Sequence, residues 1–177
     1  PSFVIVKALS EANRHWLIWH KDYNDNDAAM LFTTDIPAGS RFGPDAPTSN
    51  VFGVYGGQGN RGTTDFIGYC WHDVPGLQKF GKWTNNNSND GTFIELGFKP
   101  AILLLKNIDN VEQWYIIDGT RYPNNLGPGS STLVALQPSS NKTEADTVAQ
   151  ASNAGVDILS NGFKIRSTNT GAGEISF

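Results

Sequence analysis

The sequence predicts an all-β protein, an antiparallel β-sandwich written twice along the chain. Three observations lead there. Apolar residues fall in short runs, and no segment keeps a helical period over about three turns. Charged residues make up 17% of the chain, below the usual quarter, and Gly, Asn, Ser and Thr fill the gap, which suits short strands joined by tight turns. A seven-residue string also recurs. Pro1-Ser-Phe-Val-Ile-Val-Lys7 is answered by Pro100-Ala-Ile-Leu-Leu-Leu-Lys106, with an offset of 99 residues at both ends.

Other residues follow the same repeat. Trp16 and Trp114 come after the two strings, then Tyr23 and Tyr122. Phe52 and Phe66 are 14 residues apart, as are Phe163 and Phe177, now at an offset of 111. The second copy therefore holds about a dozen extra residues, placed between Gly119 and Gly155. Phe93–Lys99 has no counterpart before Pro1. Ile67–His72, after Phe66, has none after Phe177. Residues 1–73 thus read as a first sandwich unit lacking its first hairpin. Residues 74–177 read as a second unit lacking its last strand. Together they suggest a fragment of a longer chain. Two units sharing a tight interface are favoured over one larger jelly roll with internal pseudo-symmetry. A large apolar contact between 1–73 and the rest would favour the latter.

Each element follows from local chemistry. Phe3–Lys7 is rich in β-branched residues and reads as a buried strand. His15–Lys21 is apolar on both faces and reads as a central strand. Ala29–Thr34, Val51–Tyr55 and Asp65–His72 are further strands, the last alternating Phe66, Gly68 and Cys70 against Ile67, Tyr69 and Trp71. Asp35–Asn50 carries Pro37, Pro44 and Pro47 and is an irregular connection; Gly56–Thr63 is a glycine-rich turn. Val74-Pro75-Gly76 is the main break. Lys79–Thr84 and Thr92–Phe98 flank Asn85–Gly91 and read as a hairpin with a polar tip. Ala101–Lys106 and Gln113–Asp118 repeat the opening strand pair. Thr132–Gln137, Val156–Ser160, Gly162–Arg166 and Glu174–Phe177 are later strands, and Thr143–Ala151 suits a short helical turn.

Composition narrows the function classes. A net charge of -4 argues against a nucleic-acid backbone as partner. No run of apolar residues is long enough to span a membrane as a helix. The single cysteine, Cys70, offers no internal disulfide or metal-binding pair and reads as a small buried core residue.

Several strings carry a family likeness: Tyr69-Cys-Trp-His-Asp-Val-Pro-Gly76, Lys79-Phe-Gly-Lys-Trp-Thr84, Gly97-Phe-Lys-Pro100, Leu159-Ser-Asn-Gly-Phe-Lys-Ile-Arg166 and Asp45-Ala-Pro-Thr-Ser-Asn-Val-Phe52. They resemble a repeated domain of unknown function found in structural and tail-fibre-like proteins of marine bacteriophages. The resemblance implies a jelly-roll or lectin-like sandwich in a virion component, and it supplies no catalytic residues.

Candidate sites are few. Trp83 has no repeat partner and abuts a polar tip. With Asn85, Asn87 and Asp90 it has the make-up of a sugar platform, an indole for stacking beside planar hydrogen-bonding groups. Trp16 and Trp114, in equivalent positions, are expected to plug two cores. Asp22, Asn24 and Asn26 resemble the front of a calcium loop, but Asp27 and Thr33 stand where an EF-hand needs Gly and Glu, so a solvated turn is the better reading. His15 and His20 differ by an odd number and face opposite ways on a strand. No nucleophile elbow is present. Asp65, Asp73, Glu95, Asp118 and Asp157 lie near strand ends, where chance pairs of acids are common.

The expectation is a non-enzymatic structural or adsorption module on a virion surface: a tail fibre, tail or capsid appendage, with no cofactor. Its partners would be further copies of itself or other virion proteins, with a host-surface glycan as an additional one. A stand-alone carbohydrate-binding module is the alternative, and a glycan-degrading enzyme comes third.

Overall fold

The structure, a computed structural model, describes residues 1–23, 27–31, 33, 35, 39, 41–43, 45–121, 125, 135–138, 140–141, 155–166 and 174–176. The helical turn expected at Thr143–Ala151 lies outside them. The described regular structure is β throughout except for one helical turn, α1 (Gly56–Gly59). Strands β1 (Phe3–Ala8), β2 (Leu17–His20), β3 (Ala29–Met30) and β4 (Phe66–Trp71) form a first sheet, in order β3-β2-β1-β4. Strands β5 (Lys82–Thr84), β7 (Ile102–Asn107), β8 (Trp114–Asp118) and β11 (Glu174–Ser176) form a middle sheet, in order β5-β11-β7-β8. Strands β6 (Phe93–Glu95), β9 (Val156–Leu159) and β10 (Gly162–Ile165) form an outer sheet, in order β6-β10-β9. Their pairings are antiparallel.

Side-chain alternation decides which faces meet. Phe3 pairs with His20 and Ile5 with Ile18, so these four share one face of the first sheet; Val4, Val6, Leu17 and Trp19 share the other. The Val4 face packs against Phe42, Phe52 and Val54 from the connection after β3. The Phe3 face packs against Trp114 and Leu104 of the middle sheet and Ile108 just after β7. The middle sheet turns Leu103, Leu105 and Ile117 the opposite way, onto Ile94, Ile158, Phe163 and Ile165 of the outer sheet. Both the first and middle sheets are therefore covered on two faces. That explains why β2 is buried at all four residues and why its sequence lacks a polar face. Each large apolar side chain so buried contributes about 1.5–3 kcal/mol.

The cluster of Phe3, Ile18, Ala29 and Trp114 joins residues from both sides of Val74–Pro75.

Three expectations need correction. The segments β5 and β6 do not pair as a hairpin. β5 runs beside β11 in the middle sheet, and β6 runs beside β10 in the outer sheet. The intervening loop is long enough to change sheets, and glycines allow the crossing. A Cβ on Gly162 would sit 2.1 Å from the Ile94 carbonyl oxygen, and one on Gly91 2.5 Å from that of Ile165. The second correction concerns 51–55, which is extended but not a ladder strand. Its Tyr55 N–H donates to the Arg41 carbonyl at 2.7 Å, while Val51 and Tyr55 point to solvent. The third is Trp16, which is 39% exposed where Trp114 is 1% exposed.

Candidate binding surfaces

Three places stand out, two of them at residues singled out above. The first is the tip 85–90. Here side chains fold back on the main chain: Asn85 Oδ1 accepts the Asn87 N–H, Asn86 Oδ1 accepts the Ser88 N–H, and Ser88 Oγ accepts the Asp90 N–H. Short polar side chains favour this self-capping, and Asn87 tolerates its φ of 54° for the same reason. Asp90 is then tied to β10, 2.6 Å from Lys164 Nζ and 3.0 Å from an Arg166 guanidinium nitrogen. The Lys164 hydrogen bond, followed by that ammonium's charge, holds the Asp90 carboxyl below its ordinary range. Arg166 also reaches the buried Asp157 at 2.6 Å.

Trp83 does not join this surface. It is 6% exposed, with its ring edge-on to Phe163 at 5.5 Å between centroids. An indole so covered has no face left for stacking a sugar, because β5 turns it inward between the two sheets. Asn85 is buried beside it, while Asn87 and Asp90 remain exposed. The platform expected from sequence is therefore divided between a core and a rim.

The second place is the Asp22 turn. Asn24 and Asn26 lie outside the described residues. The Asp22 N–H donates to His20 Nδ1 at 3.1 Å, and its carboxylate lies 3.7 Å from the same nitrogen. His20 is fully buried among Phe3, Tyr23 and Phe80. Asp22 thus anchors a turn against a core histidine. Among the described residues no group of three His, Cys, Asp or Glu side chains is placed to hold a metal.

The third place was missed by sequence reasoning. A groove of about 290 Å³ lies between the loop 49–52 and the end of β4. Pro1, Ser49, Asn50, Phe52, Cys70 and His72 are among the residues that line it. Cys70 is exposed, contrary to the core reading. It alternates to the Val4 face as expected, but β4 is the edge of its sheet and its cover there is incomplete. No local pattern announces this groove, since its walls are some twenty residues apart in the chain. Its walls do coincide with two of the family-like strings, Asp45–Phe52 and Tyr69–Gly76.

Among the strand-end acids, Asp73 and Asp118 join Asp157 as local anchors. Asp73 accepts from Lys21 at 2.6 Å and from the Phe80 N–H at 2.9 Å. Partial burial pushes its carboxyl up, but Lys21 and the Phe80 N–H outweigh this and hold it below 3.8. Asp118 accepts from the N–H groups of Thr120 and Arg121.

A family model described as a domain of unknown function, DUF7483, matches residues 1–175. The chain belongs to the DUF7483 family. No curated protein and no solved structure matches it. The matched span includes the tip, the groove and the strands on both sides of Val74–Pro75.

Proposed function

We propose that this DUF7483 domain is a non-enzymatic structural or adsorption module of a bacteriophage virion, a pseudo-symmetric β-sandwich of two like units that works by contact. The observation that carries the proposal is a matched pair of hairpins. Lys7 lies one position beyond the Val6–Leu17 pair, which puts it opposite Trp16, and its Nζ donates to the Arg14 carbonyl. Lys106 pairs with Trp114, and its Nζ donates to the Glu112 carbonyl at 2.9 Å. In both hairpins the acceptor lies two residues before the tryptophan.

The neighbours correspond in part. On its other side each hairpin pairs antiparallel with one further strand, β1 with β4 and β7 with β11, although Lys7 faces Ile67 and Lys106 faces Ser176, so this register is two residues short of the offset of 111. The Thr48 N–H bonds the Val51 carbonyl, and Leu159 pairs with Gly162, two contacts at the offset of 111. The matched hairpins pack like face to like face through Ile5 and Ile18 on one side and Leu104 and Trp114 on the other. A scaffold whose acids anchor turns, and whose copies pack by equivalent faces, is suited to extend an appendage. The resemblance to phage structural proteins supplies the virion setting.

The test is location. Purified particles of the source phage are expected to contain the domain in fixed copy number by quantitative mass spectrometry, with antibody label on an outer appendage. Intact particles free of it would overturn the proposal.

A further inference from the structure

The Phe3 face of the first sheet is buried at one end and open at the other. Phe3, Ile18 and His20 are buried there. Further along, the register sets Ile5 opposite Tyr69 and Lys7 opposite Ile67. On the other side of β1, Lys7 stands opposite Trp16. These five side chains therefore share the face. Trp16 is 39% and Tyr69 41% exposed, while Ile5, Lys7 and Ile67 are half-buried. Two exposed aromatic residues thus flank β1, with Ile5 and Lys7 on the strand between them. Strand spacing and rise put Trp16 and Tyr69 roughly 12 Å apart at the backbone.

Both rings and the cation are held in place. Lys7 Nζ lies 5.9 Å from the Trp16 ring centre and donates to the Arg14 carbonyl. An ammonium carries three hydrogens, and that carbonyl takes one. The Tyr69 ring lies near-parallel to that of Trp71 at 6.0 Å, and Trp71 in turn leans on the buried Phe3 at 5.7 Å. Side chains set before a ligand arrives lose little freedom on binding. The charge here also runs against that of the whole chain, which is -4. Arg14 and Arg61 share one carboxylate, Glu11, at 2.6 and 3.8 Å. Asp65 meets the same loop through its main chain: its carbonyl accepts the Leu9 N–H, and its own N–H donates to Ser10 Oγ. Lys7, Arg14 and Arg61 against these two acids leave a local positive excess.

We propose that this face binds an acidic oligosaccharide, with sugar rings stacked on Trp16 and Tyr69 and a carboxylate or sulfate of the sugar paired with Lys7. The inference rests on the adsorption part of the reading above and names its site and class of ligand. Flat side chains with hydrogen-bonding edges suit sugars, whose ring faces are apolar and whose rims are polar. The cation between the rings selects for an acid group. The separation of the rings exceeds the width of one sugar, so a disaccharide is the smallest ligand that touches both. Size argues against a protein partner. A stable protein interface takes about 800 Å² and about 20–30 residues from each side. Two exposed side chains and three half-buried ones make up this face.

The experiment is calorimetric titration of the full chain with oligogalacturonates of graded length, sulfated carrageenan oligosaccharides and neutral galacto-oligosaccharides. The first two sets separate carboxylate from sulfate. At least one acidic set is expected to bind, more weakly as a monosaccharide and more weakly as salt is raised. Trp16→Ala and Tyr69→Ala are each expected to lower that affinity by about tenfold or more, the worth of one aromatic contact. Lys7→Gln is expected to lower it to that of the neutral sugars. Denaturant midpoints of the same variants show that they are folded. The proposal is overturned if no sugar binds the folded chain, if neutral and acidic sugars bind alike, or if affinity survives both aromatic substitutions. It also fails if Trp16→Ala dissolves a concentration-dependent dimer, since a second copy would then occupy the face. Particle content judges the virion reading separately. Particles that carry the domain while no sugar binds sink this site alone, and particles that lack the domain sink that reading whatever the sugars do.

Discussion

The hairpins β1–β2 and β7–β8 are built on the same plan and live in different surroundings. Each sets a lysine opposite a tryptophan, and each ties the lysine to a carbonyl of its own loop. Trp16 is nonetheless exposed, with the Lys7 ammonium 5.9 Å from its ring centre, whereas Trp114 and Lys106 are fully buried. Local sequence therefore sets the hairpin and its register. What covers the hairpin decides whether the same residues carry core energy or a rim contact.

Substitution at the tryptophans gives the largest expected contrast. Trp114→Ala should cost about 3–5 kcal/mol, because it opens a cavity between two sheets. Trp16→Ala should cost under about 1 kcal/mol. Denaturant midpoints of the two variants check this, and equal costs would break the comparison. Trp83→Ala belongs with Trp114, at about 3–5 kcal/mol, since it too fills a core.

The lysines come next. Burial lowers the Lys106 ammonium from 10.5 to about 8, with Glu112 and Asp35 partly opposing the shift. Between those two pH values the unfolded chain holds a proton that the folded chain has released, so this residue makes stability rise with pH across that window. The penalty is fully present below about pH 8 and gone above about 10.5. Its full size is on the order of 1–3 kcal/mol. Lys106→Met is expected to flatten that rise, measured as denaturation midpoints from pH 7 to 10. A slope that survives the substitution would assign the effect elsewhere.

The smallest effect is expected at the surface. Asp73 is held low in the folded state, so its contribution is present above about 3.8 and is lost as pH falls through its lower folded value. Asp73→Asn should cost about 0–1 kcal/mol at neutral pH, since the Lys21 pair is partly exposed. The difference from the unsubstituted protein should shrink on acidification.

The all-β class was legible. The alternation in β4 and the two-sided apolar character of β2 reflect interactions within a few residues. The β5–β6 corner was not legible, because hairpin and sheet-switching loop share the same polar composition. The difference lies in close backbone approaches at Gly91 and Gly162, which involve residues some seventy positions apart. Trp83 misled for a related reason. A polar neighbour in sequence says little about a strand that turns its indole toward Phe163. Cys70 failed as a core residue because sheet position is a long-range property: the same apolar strand is buried in the centre and open at an edge. The groove has no sequence signal of its own.

The edge position of β4, beyond which no described strand pairs, bears on how the molecule ages in concentrated solution. An uncharged strand edge can recruit the identical edge of another molecule and grow by stacking. A single lysine in place of Ile67 would act as a gatekeeper there, slowing the appearance of thioflavin-positive fibrils on storage while leaving the sheet intact.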